Sequence, residues 1–92
     1  MAPVPGFDWD PHNETHVRRH DVEPSEAEEA LLDPDRIGAS AYTVRGERRR
    51  AHLGATVAGR VLLVVHTYRR GRIRIVTVRD ATAREKSRWR RR

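Results

Sequence analysis

Helical signals dominate the first third of the chain, after a short alternating segment. Phe7-Asp8-Trp9 alternates apolar and polar side chains, which predicts a short N-terminal edge strand. Asp10-Pro11 is typical of a helix start, because aspartate accepts bonds from the free first-turn amides and proline fits the first helical position. The predicted first helix runs from Pro11 to about His20.

A second helix is predicted from Pro24. Ser25 and Glu28 have the spacing of a capping box, in which two side chains satisfy free amides of the first turn. Asp33-Pro34-Asp35 should end this helix, because the residue before a proline disfavours helical backbone.

Strand patterns occupy most of the remaining chain. The predicted strands are Ala41–Val44, Arg48–Ala55, Val61–Thr67 and Ile73–Val78. The apolar residues of the third are contiguous, so both of its faces should be buried. A last helix is predicted from Ala81 to about Arg91, with Thr82 and Glu85 as its capping box.

This order of elements predicts an α+β fold with a short N-terminal strand, two helices, an antiparallel meander of three or four strands, and a C-terminal helix. Strands joined by short turns pair antiparallel. Two helices should then cover one face of the sheet and form a two-layer domain. Residues 7–92 are expected to form this single domain, preceded by a flexible lead-in of residues 1–6, which contains two prolines and a glycine.

Composition excludes several classes of protein. The 92 residues include no cysteine, which excludes a disulfide scaffold, a thiol nucleophile and a Cys-ligated metal site. The longest apolar run, Val61–Val65, is far short of the roughly 20 residues that a membrane span needs. The start of the chain has no basic and apolar regions of a secretion signal, so we expect a cytoplasmic protein.

Charge is divided between the two halves of the chain. Residues 1–46 carry four arginines and ten acidic residues, a net charge of −6. Residues 47–92 carry fourteen arginines, one lysine and three acidic residues, a net charge of +12. Arginine is suited to phosphate, so the basic half indicates a nucleic acid or an acidic protein as partner. A GC-rich genome would explain arginine in place of lysine, but not the clustering.

His12, His16 and His20 are spaced four residues apart and should lie on one stripe of the first helix. A single helix brings two such histidines to one metal ion, but a third rarely reaches it. The favoured interpretation is a partly buried helix face with hydrogen-bonded histidines, and no metal site is predicted.

Arginines on the predicted strands indicate a binding site more strongly than the helical histidines do. Arg48, Arg74 and Arg79 lie in or at the end of strands, where a half-buried guanidinium needs a carboxylate or an anion. Pairing with Glu47, Asp80 or Glu85 is the structural alternative for any one of them. Several arginines converging on one sheet face would favour phosphate binding, and we expect such a shallow pocket.

RNA cleavage is a chemistry that these residue types can perform without a metal, because the nucleophile is the 2′-hydroxyl of the RNA itself. The protein must then hold the phosphate, stabilise added negative charge and move protons. His52, His66 and Glu47 are the candidates for proton transfer. In the basic tail, Trp89 could stack on a base or anchor the last helix to the domain.

The order of short motifs resembles that of BrnT-like toxins over roughly residues 7–90. The N-terminal motifs are Phe7-x-Trp9-Asp10, Asn13, His16-Val17, His20-x-Val22, Glu26 and Glu28-Glu29. The later ones are Arg48 or Arg49, Leu53-Gly54, Gly59-Arg60-x-Leu62, Arg74-Ile75-x-Thr77-x-Arg79-Asp80 and Glu85. Trp89 stands where many relatives have tyrosine, Lys86 is the only lysine, and Val78 replaces a small residue.

The resemblance implies a RelE-like fold and an RNA-cleaving toxin of a bacterial type II toxin–antitoxin system that halts translation. It also implies an antitoxin with a ribbon-helix-helix DNA-binding domain, which alone would bring the toxin to operator DNA, and no membrane partner. We expect the antitoxin to cover the strand arginines and the last helix. The alternative function is a non-catalytic basic module that binds nucleic acid or an acidic protein.

Residues and resemblance together predict three groups of site residues and no cofactor. The predicted catalytic residues are Arg48, His66, Arg79 and Glu85. The predicted RNA-binding residues are Arg49, Arg74, Arg84, Arg88 and Trp89. The opening motif contributes Trp9, Asp10, His16 and His20.

Overall fold

The chain folds into three helices and four strands in a computed structural model that describes residues 6–92. The helices are α1 (Pro11–Arg19), α2 (Pro24–Leu31) and α3 (Ala83–Arg90). The strands are β1 (Ile37–Val44), β2 (Glu47–Ala55), β3 (Val61–Arg69) and β4 (Arg72–Asp80). These elements confirm the predicted α+β class. Among the described residues, no helix is long and apolar enough to cross a membrane.

The helix starts follow from proline and from acidic caps. Asp10 accepts hydrogen bonds from the amides of His12 and Asn13 and begins α1, as predicted. In α2 the capping box is formed by Glu23 and Glu26, so the prediction of Ser25 and Glu28 was wrong. Because Pro24 occupies the first helical position, the cap lies one residue before it.

The four strands form one antiparallel meander in the order β1-β2-β3-β4. Strand β1 begins at Ile37, four residues before the predicted start at Ala41. Two-residue turns, Arg45-Gly46 and Arg70-Gly71, join β1 to β2 and β3 to β4.

The predicted N-terminal strand is reduced to a single parallel bridge between Phe7 and Ile73. The Asp8 amide donates to the Ile73 carbonyl, and the Ile73 amide donates to the Gly6 carbonyl. The segment cannot extend further along β4, because Asp10 already caps α1. Residues 1–5 of the predicted lead-in lie outside the described residues.

The sheet has helices on both sides, so the prediction of a two-layer domain was wrong. Helices α1 and α2 pack on the face that carries Leu62 and Val64, called here the α2 face. Helix α3 packs on the opposite face, the α3 face, which carries Leu53 and Leu63. Gly54 permits the close approach of α2, since a Cβ there would lie 1.9 Å from the Ala30 carbonyl oxygen. Part of the α2 face of the sheet lies beyond the contact between Gly54 and Ala30.

Candidate functional site

A cleft opens on the α2 face, toward the β1–β2 turn. Strand alternation and the pairing of Arg50 with His66 place five side chains there: Arg48, Arg50 and His52 of β2, and His66 and Tyr68 of β3. The cleft has a volume of about 300 Å³ and is lined by Arg48, Arg50, His66 and Tyr68. An adjoining hollow of about 220 Å³ adds Arg36, His52 and the end of α2.

Two neighbouring histidines form the centre of this cleft. The ring centroids of His52 and His66 are 5.3 Å apart, and His66 is only 4% exposed. Each ring has a buried Nδ1 atom with no hydrogen-bond partner among the described residues. The site therefore contains two imidazoles, and each has one ring nitrogen that forms no hydrogen bond within the described part of the fold.

Both histidines are uncharged at neutral pH. Burial, together with the positive charge of Arg50 and Arg36 and the neighbouring His52, lowers the pKa of His66 to about 4. The pKa of His52 is also lowered, mainly by burial and further by the positive charges of Arg36 and Arg50. A neutral imidazole can accept a proton, so the cleft offers bases at physiological pH.

Arg48 and Arg50 are the cations of the cleft. Within residues 6–92 neither has an acidic side chain as ion-pair partner. The Thr67 hydroxyl donates to the Arg48 carbonyl oxygen at 2.7 Å and joins β3 to β2 beside the cleft. Two unpaired guanidinium groups beside a pair of neutral histidines can hold an anion where a proton is to be moved.

Tyr68 brings a phenol to the rim of the cleft. Its ring lies edge-on to His66 at a centroid distance of 5.6 Å, and the residue is 64% exposed. Tyr68 therefore supplies a phenol hydroxyl to the lining of the cleft.

The other strand arginines do not join the cleft, contrary to the expectation of one arginine pocket. Buried Arg74 pairs with Asp10 at 3.0 Å and with Asp8 at 3.6 Å. Arg49 pairs with Glu47 at 3.1 Å on the α3 face. Alternation along β2 sends Arg49 to the side opposite Arg48, so adjacent arginines meet different surroundings.

Arg79 and Glu85 form a separate site on the α3 face. The guanidinium donates two hydrogen bonds to the carboxylate, at 2.7 and 3.1 Å. These bonds, with those from Thr82, lower the pKa of Glu85 to about 2. Arg79 pairs with Leu63 of β3, three residues from His66, so the predicted catalytic residues lie on two faces.

Helix α3 holds the remaining predicted RNA-binding residues. Trp89 packs against the cluster containing Leu53 and Val61, as expected of an anchor, and the Arg92 guanidinium carbon lies 3.8 Å from the centroid of its ring. Arg88 donates to the Gly38 carbonyl oxygen at 2.9 Å, and Arg84 is exposed. Base stacking by Trp89 stays a prediction.

The opening motif joins α1 and α2 to each other and to the sheet. The Trp9 indole donates to Glu28 at 2.7 Å. Buried Asn13 donates to the carbonyl oxygens of Asp8 and Ile75 and accepts from the Asp10 amide. This geometry explains why a tryptophan, an aspartate and an asparagine stand together at the start of the domain.

The helical histidines have different surroundings. His16 Nε2 lies 2.9 Å from the Thr77 hydroxyl oxygen, while His20 is exposed with its ring 5.4 Å from that of His16. Burial lowers the pKa of His16. Among residues 6–92, no group of three or more histidine or acidic side chains is arranged to hold a metal ion.

Sequence reasoning missed Arg36, Arg50 and Tyr68 as cleft residues. For Arg50 and Tyr68 a signal was present, because each stands two positions from a predicted site residue, Arg48 or His66, and so shares its face. Arg36 lies in the connection between α2 and β1, where no periodicity predicts the side-chain position.

Comparison with protein families agrees with the resemblance in the sequence. The sequence model of a family described as "Ribonuclease toxin, BrnT, of type II toxin-antitoxin system" matches residues 9–85, from Trp9 of the opening motif to Glu85 of α3. A search of curated proteins found no significant match. The family match covers most of the chain, so this chain belongs to the BrnT family of ribonuclease toxins of type II toxin–antitoxin systems.

Proposed function

We propose that the cleft on the α2 face is the ribonuclease site and that it cleaves RNA without a metal ion. One observation carries this proposal: two neutral histidines, each with an unpartnered Nδ1, stand beside Arg48 and Arg50, which have no acidic partner among the described residues. The family supplies the reaction class, and the cleft supplies the groups that the reaction needs.

In the proposed reaction the 2′-hydroxyl oxygen of the RNA attacks the adjacent phosphorus atom. His66 takes the hydroxyl proton as the new P–O bond forms. The bond from phosphorus to the 5′-oxygen breaks, and Tyr68 donates a proton to that oxygen. The products are a 2′,3′-cyclic phosphate and a 5′-hydroxyl, and solvent returns the proton from His66 to Tyr68.

The arginines stabilise the negative charge that accumulates on the phosphate oxygens during attack. Arg48 and Arg50 line the cleft beside His66, so both guanidinium groups can contact one phosphate. The His52 ring lies 5.3 Å from the His66 ring and, like it, has a buried Nδ1 atom without a partner among the described residues. These positive charges perform the role that a metal ion has in other nucleases.

A set of matched variants tests where cleavage occurs. We expect His66→Gln and Arg50→Gln to lower kcat/KM on RNA by about 100-fold or more, the usual scale for a general base or an oxyanion-stabilising group. Arg79→Gln removes an arginine from the α3 face and should change the rate far less. The Arg79–Glu85 pair is the competing prediction, and the reverse order of effects would move the site there.

A non-catalytic basic module remains the second function to be tested. Such a module would bind RNA in a salt-dependent way and release no cyclic phosphate. Intact RNA at high protein concentration, with and without ribosomes, would favour it over the proposed nuclease.

The antitoxin is expected to have a ribbon-helix-helix domain and to cover the strand arginines and α3. Helix α3 carries four basic residues and one acidic residue, which suits an acidic segment. Crosslinks confined to α1 and α2 would contradict this antitoxin surface.

We further propose that the RelE-like fold and cytoplasmic action that the resemblance implies apply to this chain.

A further inference from the structure

The two arginine-glycine turns of the sheet lie at the same end of the meander. Arg45 and Gly46 have φ angles of 49° and 80°, and Arg70 and Gly71 have φ angles of 53° and 76°. Positive φ at both central residues is the pattern of a type I′ turn, whose first position favours asparagine, aspartate or glycine. Each turn therefore places an arginine where its own backbone is strained.

The same strained choice in two unrelated turns indicates a use for the side chains. Asparagine would relieve the backbone at either position, so turn stability does not account for arginine. Both turns are exposed, and neither Arg45 nor Arg70 has an acidic ion-pair partner within the described residues.

A shared carboxylate joins the two turns into one surface. Glu47 pairs with Arg49 at 3.1 Å and with Arg69 of the other hairpin at 3.5 Å. The hairpin-end surface is defined by the five arginines around these turns: Arg45, Arg49, Arg69, Arg70 and Arg72. The acidic side chains that line its hollows are Glu47 and Asp8, so positive charge remains in excess.

Two hollows on this surface are open to a ligand, and the surface adjoins the cleft. One, of about 450 Å³, is lined by Arg45, Arg49 and Arg69, and the other, of about 270 Å³, by Arg69, Arg70 and Arg72. The cleft itself extends to Gly46 and Glu47 at the base of the first turn. A chain that leaves the cleft at this end reaches Arg45 and Arg70 at the turns, and it meets Arg49, Arg69 and Arg72 where it crosses the end of the sheet to the α3 face.

We propose that the hairpin-end surface binds phosphates of single-stranded RNA next to the linkage held in the cleft. This inference rests on the proposed nuclease site. A polynucleotide presents one anion per nucleotide, which suits a row of guanidinium groups on two adjacent turns. The contacts are to the backbone, so they add affinity without selecting a base sequence.

The test uses Arg45→Asn, Arg70→Asn and the double variant, because asparagine removes the charge and suits the turn. Thermal unfolding should stay at or above the wild-type temperature. With RNA of about 20 nucleotides, KM should rise about 10-fold in the double variant, and the slope of log affinity against log salt should fall by about 0.7 for each arginine removed. A dinucleoside monophosphate, which has a single phosphate, should be cleaved at the wild-type rate.

Arg19→Asn is the matched control, since it removes an exposed arginine on α1, away from the turns. Turn variants that match this control in KM and salt slope would overturn the proposal. It would also be overturned if the turn variants weakened binding of an acidic antitoxin segment while leaving RNA binding intact.

A separate measurement keeps the two proposals distinguishable. If the wild-type protein cleaves neither substrate, the nuclease site fails, and the affinity for a non-cleavable 2′-O-methyl oligonucleotide decides the surface by itself. Weaker binding of that probe by the double variant than by Arg19→Asn would support the surface, and equal binding would reject it.

Discussion

His52 and His66 stand side by side on β2 and β3 with their ring centroids 5.3 Å apart, and each has a buried ring nitrogen without a partner among the described residues. Neighbouring cations and burial keep both rings neutral. An anion bound by Arg50 would reduce that positive field, so substrate binding should make both rings more basic at the moment when a base is needed.

The first prediction concerns the acid limit of activity. With His66 as the base, kcat/KM should stay nearly level from pH 7 to pH 5 and fall about tenfold per pH unit below its pKa of about 4. An ordinary histidine base would lose activity already below pH 6.5. The measurement is the initial cleavage rate of a short RNA, with folding checked by circular dichroism at each pH. An acid limb centred near pH 6.5 would contradict the assignment.

The second prediction concerns stability against pH. The pKa of His66 is about 4 in the fold and near 6.5 in the unfolded chain. Between these values the unfolded state binds more protons than the folded state. The stability that neutral His66 contributes is therefore fully present above about pH 6.5 and is lost as the pH falls toward 4. We expect the free energy of unfolding to fall by about 2 kcal/mol from pH 7 to pH 5 through His66.

Urea denaturation of the wild type and of His66→Gln at both pH values checks this stability effect. The variant lacks the titrating group and should show a smaller loss. The lowered pKa of Glu85, about 2, affects stability only below about pH 4.5, where its carboxylate is protonated first in the unfolded chain. Equal losses in the two proteins would remove His66 as the cause.

The third prediction concerns the buried amide of the opening motif. Asn13→Ala should lower the free energy of unfolding by about 2–4 kcal/mol, because it leaves the carbonyl oxygens of Asp8 and Ile75 and the Asp10 amide without their partner. His12→Ala, at an exposed position of α1, is the control and should cost less than about 0.5 kcal/mol. A small effect of Asn13→Ala would show that water replaces these bonds.

The fourth prediction compares two strand glycines. Gly54→Ala should destabilise the fold by several kcal/mol or prevent folding, because the added methyl would lie 1.9 Å from the backbone oxygen of Ala30. Gly38→Ala adds the same atom with nothing within 4 Å and should be neutral or slightly stabilising. Thermal unfolding of both variants measures the difference, and similar melting temperatures would contradict the close contact between α2 and β2.

Local rules predicted the elements better than they predicted the site. Pro11, Pro24 and the Thr82–Glu85 capping box placed all three helix starts within about two residues, because a helix start depends on neighbours in the chain. The N-terminal strand was overestimated, since Phe7-Asp8-Trp9 has a strand pattern but only one bridge to β4.

Partner choice was the part of the site that local rules could not predict. Arg48 and Arg49 are neighbours of identical type, yet Arg49 pairs with Glu47 while Arg48 lines the cleft. Arg74 meets Asp10 only because the N-terminal segment returns along β4.

The sequence by itself determined the helices, the antiparallel meander, the basic second half and the family. Periodicity, caps, charge and motif order are all properties of the linear order of residues and do not depend on which distant residues meet in the fold. Tertiary structure alone decided which arginines keep a free charge and which histidines lose theirs. Those outcomes depend on desolvation and on charges brought from other strands, such as Arg50 beside His66, and no local pattern contains either quantity.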